Sequence, residues 1–500
     1  MTAPTAPTLA DLDEAARYAV FDRLQERLPA VWDGIQTGDP LESVVVVPSM
    51  TLDRVVAASS GLTQAMEERF LFMLLLLRQP RLRMVYVTSV AIDPTIIEYY
   101  LSLLPGVIPS HARSRLHLVS VGDARPGALT DKLLARPRLL AAVRALIPDP
   151  LRCHLVPYTT TAVERDLAIE LGIPMYAADP RLFALGTKSG CRQVFSEAGV
   201  RFPAGAEDLA TSAEVVTALA GLRARRPSAH WAMLKLNEGV SGSGNAMVDL
   251  GGLPAPGSPQ EVAELAHRLD TMTLEDSSTA IDAFLAKLAQ RRGIIEERVV
   301  GDEVRSPSVQ LRVTPHGALE ILSTHDQILG GPGGQSYLGA RFPADPAYAR
   351  LITTEAVRIG EVLASKGVIG RFAVDFVVVR AGSAWESHAI EINLRKGGTT
   401  HPFLTLQFLT DGRYDPQAAL FLTPAGEERH LVATDHLEDP VLHGLRVDDL
   451  FDLVARTGMH YDQSRQRGVV FHMISAITEC GRVGMTAIAE TAAQAQDVYA

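Results

Sequence analysis

Between residues 42 and 179 the apolar positions fall in short, nearly unbroken runs: SVVVVPS at 43–49, MVYVTSV at 84–90, LHLVSVGD at 116–123 and CHLVPYT at 153–159. A strand with one wet face alternates apolar and polar residues, whereas a parallel strand covered on both faces is apolar almost throughout. These runs therefore predict buried parallel strands. The stretches between them, including 64–78, 94–104 and 162–171, read as helices. Strand, helix, strand in repetition predicts a doubly wound α/β domain with right-handed crossovers. The run FLFMLLLL at 70–77 is flanked by Glu67, Glu68, Arg69 and Arg78 and is far too short to span a bilayer. It reads as a buried core helix.

The pattern changes after residue 185. FALGTKSGCRQVFSEAGVRFPAG places Lys188 at the start of a helix that runs to Glu197, with Gly199 as its cap before an extended FPAG. A helix over 212–225 precedes WAMLKLNEGVSGSGNAMVDL, in which a strand carrying Lys235 runs into a glycine-rich turn. Glycines let backbone N–H groups approach phosphate oxygens, and Ser241 and Ser243 add donors beside Gly239, Gly242 and Gly244. Asn245 and Ala246 follow the last glycine, so this is not a Walker A loop. The Pro- and Gly-containing linker GGLPAPGSP occupies 251–259, and GIIEERVVGDEV at 293–304 is a strand ending in acids.

The hairpin at 370–398, GRFAVDFVVVR then AGSAWESH then AIEINLRKGG, carries the strongest chemical signal. Side chains alternate along a strand, so Glu391 and Asn393 share a face, and a hairpin partner brings Asp375 beside them. Three converging oxygen donors suit Mg2+, which binds through one or two carboxylates together with substrate phosphates. Arg395 and Lys396 follow directly, placed to meet a phosphate held by that metal.

Length and composition narrow the classes. Five hundred residues exceed one hydrophobic core, and 47% hydrophobic with 21% charged residues is the balance of a globular enzyme. A net charge of −11 with no basic arm argues against a nucleic-acid partner. Cys153, Cys191 and Cys480 form no CxxC pair, which suggests neither a zinc site nor a disulfide framework and favours a reducing, cytoplasmic setting. The start, MTAPTAPT, lacks a basic and apolar leader and reads as a frayed tail. No membrane segment is expected. The first domain has PSMTLDR where a dinucleotide fingerprint would stand, so a nicotinamide-dependent oxidoreductase is disfavoured and a scaffold role that helps bind substrate is expected.

The order of these parts resembles an ATP-grasp ligase: a lysine at a helix start, a lysine on a strand before a glycine-rich loop, the acidic EERVVGDE strand, then Asp and Glu-x-Asn on late strands. Within that superfamily the chain is similar to the peptide ligase family of the pheganomycin pathway. HDQILGGPGGQSYLGARFPA at 325–344, EINLRKGGTTHP at 391–402 and the tail GVVFHMISAITECGRVGMTAIAET at 468–491 carry this likeness. The resemblance implies an N-terminal tail and helix (1–40), a pre-ATP-grasp α/β domain (41–185), an α+β ATP-grasp domain (186–430) and a small α+β C-terminal domain (431–500). In the last, helices are expected near 446–457 and 491–499, with one strand at GVVFHMISA and a turn at ECGRVG.

The same resemblance implies that Lys188 and Lys235 contact ATP phosphates under the 239–246 loop. Glu296 or Glu297, the backbone near Val299, and Glu303 would hold adenosine, with the choice between the adjacent glutamates open. Asp375, Glu391 and Asn393 match the Mg2+ positions, with Mn2+ admitted in its place, and Arg395 matches an arginine near the transferred phosphate or acyl group. D-Alanine ligases carry an arginine two residues before the metal aspartate; Ala373 stands there, and Arg371, four before, is the candidate for that role. Gln335, Ser336 and Tyr337, with His325, Asp326 and His401, are candidates for the acceptor pocket, and loops 239–246 and 330–339 for its closure.

The activity so implied is the ATP-dependent joining of a small carboxylate to an amine or peptide through an acyl phosphate. A homodimer is admitted. The alternatives are a non-catalytic ATP-binding regulator and a ligase with a thiol or hydroxyl acceptor.

Overall fold

The computed structural model describes residues 9–37, 42–51, 60–239, 242 and 244–500. The four apolar runs form one parallel sheet in the order Leu116–Ser120, Arg83–Thr88, Ser43–Val47, Cys153–Pro157. Ser43–Val47 and Cys153–Pro157 are buried at every position, as strands covered on both faces must be. Helix Ala162–Leu171 starts in a capping box between Thr161 and Glu164 and ends at Gly172, whose φ of +69° closes the last turn.

The run at 70–77 is buried but is not an α-helix. Helix Ser60–Glu68 stops before Arg69, and Leu71–Arg78 winds as a 3-10 helix. Nearly all of its side chains are buried, so it packs on every side, and tertiary contact rather than helix propensity sets its winding. The break lets Arg69 send its guanidinium inward, where it pairs with Asp435.

Two further sheets face each other. The smaller is antiparallel, in the order Gly205–Leu209, Gly293–Glu297, Trp231–Leu236, Asn245–Asp249, Thr273–Leu274. The larger has nine strands and contains the expected hairpin, Gly370–Ala381 with Ala384–Asn393. Helix Pro346–Ser365 packs on its core through Tyr348, Ile352, Ala356 and Ile359.

The C-terminal segment extends this nine-stranded sheet. His430–Glu438 pairs with Ser336–Phe342, and Arg482–Ala489 lies between His430–Glu438 and Gly468–His472. The sequence pattern predicts a turn and then a helix after residue 480, where the structure inserts a strand. The strand Arg482–Ala489 escapes the pattern because Gly484, Ala487 and Ala489 lower its β signal, while its place between two other strands buries nearly all of it. Helices Val447–Thr457 and Ala492–Tyr499 lie where expected. The tail also docks on the first domain. Tyr100 Oη donates to the Phe471 carbonyl at 3.0 Å, Phe471 N donates to Tyr99 Oη at 2.9 Å, and Tyr99 stacks on Phe451 at 4.9 Å. Among the described residues no helix is long and apolar enough to cross a membrane.

Candidate active site

A cavity of about 390 Å³ lies between the two facing sheets and is roofed by the first domain. Lys188, Lys235, Gly239, Gly242 and Gly244 line it from the smaller-sheet side, and Asp375, Glu391, Asn393 and Arg395 from the hairpin. Strand register explains the second set. Asp375 pairs with Glu391 and Ala373 with Asn393, and a bulge follows Asp375, so the three donors emerge together. Asn393 Nδ2 donates to Asp375 Oδ2 at 2.9 Å, and Lys188 Nζ pairs with Glu391.

The electrostatics fit a cation at this hairpin. Burial, then the charge of Glu391, push Asp375 up to about 6, against the opposing pull of Ser308, Lys188 and Arg395. Burial also acts to raise Glu391, but Lys188 and Arg395 outweigh it and hold this carboxyl below its ordinary value. Two neighbouring half-buried carboxylates, with the Asn393 amide beside them, offer oxygen ligands that suit a hard divalent ion. The Lys188 ammonium on Glu391 shows that positive charge is accepted there.

Lys188 reaches the cavity from the first turn of helix Lys188–Glu197, capped by Thr187 Oγ1 accepting from Gly190 N at 3.1 Å. Strand Trp231–Leu236 carries Lys235, whose Nζ lies 2.5 Å from Glu296 Oε1. Backbone bonds from Leu236 N to the Gly244 carbonyl and from Asn245 N to the Gly242 carbonyl, each 2.9 Å, shape the loop base. Gly242 has φ +84°, and a Cβ there would stand 2.9 Å from the Gln335 carbonyl oxygen, so the turn needs glycine for both conformation and space. Ser241 and Ser243 lie outside the described residues.

Several candidates sit elsewhere. Lys396 turns away from the cavity: its Nζ donates to the Pro157 carbonyl at 2.8 Å, and burial, then Arg371, lower it to about 7. Arg371 is not part of the cavity lining. It lies in the field of Arg312 and Tyr176 with Nη1 unpartnered, because four residues before Asp375 is farther down the strand than the cavity extends. Glu296 and Glu297 do point to opposite faces. The first is buried against Lys235 and lies 3.6 Å from Arg192, while the second accepts from Ala204 N at 3.0 Å. Val299 and Glu303 are outside the lining, and Glu303 is engaged by Arg305 at 2.6 Å and Arg380 at 2.9 Å.

Of the acceptor-pocket candidates, Gln335 and Tyr337 line the cavity. His325 is core: it packs between Phe342 and Phe403 and bonds Ser323 and Gln310. Asp326 accepts from Tyr348 Oη at 2.7 Å and does not face the cavity, and His401 is buried against His472. Ser336 Oγ donates to Glu275 Oε1 at 2.9 Å.

Nothing local in the sequence marks Glu275. Its carboxylate also accepts from Gly333 N at 2.7 Å and Gln335 N at 3.2 Å, so one acid of the smaller-sheet side clasps the 331–336 turn of the larger sheet. A Cβ at Gly331 or Gly333 would strike that carboxylate. The sequence also missed the cavity residues of the first domain and the tail: Met50, Met66, Glu67, Arg69 and Tyr158, with Asp435 and Arg482. Glu67 and Arg69 read as polar flanks of an apolar run, and nothing local distinguishes them from solvated charges. The Arg395 guanidinium lies 5.8 Å from the Tyr158 ring centroid, which joins this group to the hairpin.

Residues 181–258 and 258–417 match the family described as IQCH-like, ATP-grasp, and residues 449–500 match the PGM1 C-terminal domain. The chain is 30% identical to the L-propargylglycine–L-glutamate ligase of Streptantibioticus cattleyicolor over 86% of its own length and 87% of that protein. It is 24% identical to the IQ motif-containing protein H of Danio rerio, of which it spans only 42%. Among solved structures, an ADP complex of N5-carboxyaminoimidazole ribonucleotide synthetase matches with a TM-score of 0.53 at 11% identity, over 92% of this chain and 96% of that one. A Campylobacter jejuni biotin carboxylase matches with the same TM-score at 13% identity, over 92% and 90%. These two show the shared fold, and the near full-length relationship to an amino-acid ligase places the chain in the ATP-grasp ligase family.

Proposed function

We propose that the protein joins an amino-acid carboxylate to the amine of a second amino acid or peptide, using ATP and releasing ADP and phosphate. The observation that carries this reading is the meeting, in one cavity, of two lysines, a glycine turn, a carboxylate hairpin and Arg395. A carboxylate is a poor electrophile. Its oxygen attacks the γ-phosphorus, the bond to the β,γ-bridging oxygen breaks, and ADP leaves. The amine nitrogen then adds to the acyl carbon of the resulting acyl phosphate and phosphate departs, leaving the amide.

The protein's part in this scheme is positioning and charge. Lys188 and Lys235 would face the phosphates, with Gly239, Gly242 and Gly244 in the same cavity wall, and Arg395 would face the oxygens that gain charge during transfer. Asp375, Glu391 and Asn393 would hold Mg2+, which when bound supplies charge neutralisation between the phosphates. Water would destroy an acyl phosphate. Met50, Met66, Tyr158 and Tyr337 line the same cavity as Arg395, and the Glu275 clasp ties down the 331–336 turn, whose Gln335 lines the cavity.

An amino-acid substrate is supported by the mixed charge of the cavity wall, which carries Glu67 as well as the guanidinium groups of Arg395 and Arg482. A zwitterion has partners for both ends there. The buried thiols Cys153 and Cys191 are in keeping with a reducing cytoplasm.

The test is incubation with Mg2+, ATP, the amino acids in turn, and hydroxylamine. ADP together with an amino-acid hydroxamate is expected. AMP with pyrophosphate would mean adenylation and would overturn the reading.

A further inference from the structure

Beside the cavity stands a group of ligand-type side chains that the ligation scheme does not use. His401 comes from helix Thr400–Thr410, Asp435 from strand His430–Glu438, and His472 from the end of strand Gly468–His472. All three are buried. His472 Nε2 lies 2.8 Å from Asp435 Oδ1, and His401 Nε2 lies 3.0 Å from His472 Nε2 and 3.5 Å from Asp435 Oδ1.

Hydrogen bonds do not complete this triangle. A neutral imidazole has one N–H, and a carboxylate has none. If His472 Nε2 donates to Asp435, the same proton must be shared to reach His401, and His401 then carries its own proton on Nδ1, which is buried without a partner. If His401 donates to His472 instead, His472 Nε2 meets Asp435 lone pair to lone pair at 2.8 Å. Three lone pairs turned toward one point are the arrangement that a metal ion resolves. Zn2+ binds His nitrogen and carboxylate oxygen at about 2.0–2.1 Å, and a point at that distance from all three atoms lies about 0.9 Å out of their plane. This is a shallow pyramid with its apex free for a fourth ligand.

We propose that His401, Asp435 and His472 form a zinc site, separate from the Mg2+ hairpin. The donor set, two imidazoles and one carboxylate, is nitrogen-rich where the hairpin offers only oxygen, so the two positions select different ions. Arg69 pairs with Asp435 Oδ2 and leaves Oδ1 for the metal, orienting the carboxylate from behind. Because Asp435 lines the cavity, water from there supplies the fourth ligand. The site joins a helix next to the hairpin, two C-terminal strands and, through Arg69, the first domain, so zinc positions the wall that carries Arg69 and Asp435.

The experiment is metal analysis of the full chain, equilibrated with zinc and dialysed. About one zinc per chain is expected, with a tenfold or greater loss in His401→Phe and in His472→Gln, and full retention in Glu391→Gln. Zinc at trace level in the wild type, iron in its place, or equal zinc in the wild type and both histidine variants would overturn the proposal. Should the variants fail to fold, Co2+ titration of the wild type decides. The visible absorption of tetrahedral Co2+, lost on adding zinc, is expected, and an octahedral spectrum or none would overturn it.

Discussion

At the scale of single residues, two charged groups bear most of the chemical argument. Asp375 is pushed up to about 6 by burial and by Glu391, so protons compete with Mg2+ near that pH. The sign is fixed by linkage: the metal needs the ionised form, so apparent Mg2+ affinity is full above about 6 and falls about tenfold per pH unit below it. Mg2+ titrations of ADP formation between pH 5 and 7 check this, and Asp375→Asn should abolish the dependence along with most of the affinity. In the proposed scheme Arg395, a cavity-lining residue, acts on the transferred phosphoryl group and does not hold the nucleotide. Arg395→Ala should therefore lower kcat by about 10²–10³ while ATP binding survives, and equal losses in both would refute its assignment.

Legibility at this scale follows sequence distance. Asp375, Glu391 and Asn393 could be read because alternation along two adjacent strands fixes which side chains share a face. Arg69 and Asp435 could not, since their pairing joins residues 366 positions apart and leaves no local mark. Lys396 departs from the phosphate-facing expectation because, next to Arg395, it turns the other way, onto the Pro157 carbonyl.

At the scale of elements, the two glycine turns behave as one unit. Glu275 takes three hydrogen bonds from the 333–336 segment, and Gly242 packs against Gln335. Glu275→Gln keeps the shape but removes the charge that strengthens those bonds. Faster amide exchange at Gly333 and Gln335 is expected, with a several-fold rise in KM for ATP. Unchanged protection at both amides would separate the turns. These loops showed in the sequence as glycine clusters, but the acid between them did not, because a lone glutamate after a two-residue strand looks like any other. The strand Arg482–Ala489 escaped for a related reason. A strand buried between two others needs little β propensity of its own, so small residues suffice there.

At the scale of the whole molecule, one hydrophobic cluster contains Val44 and Phe72 from the first domain, Phe403 and Phe421 from the middle of the chain, and Phe471 and Ile488 from its end. The first domain, the larger sheet and the tail therefore share this core, whereas the smaller sheet packs a core of its own. Removing residues from 447 onward should strip strands from the nine-stranded sheet and expose that core. A truncated chain without near-ultraviolet circular dichroism and without a cooperative melt is expected; a folded, active fragment would show that the tail is an independent domain. The central claim, phosphoryl transfer to a carboxylate, is tested most directly with amino acids labelled by 18O in the carboxyl group. Recovery of one 18O atom in the released phosphate is predicted, because the attacking oxygen leaves with it. Unlabelled phosphate, or label found in AMP, would contradict the account.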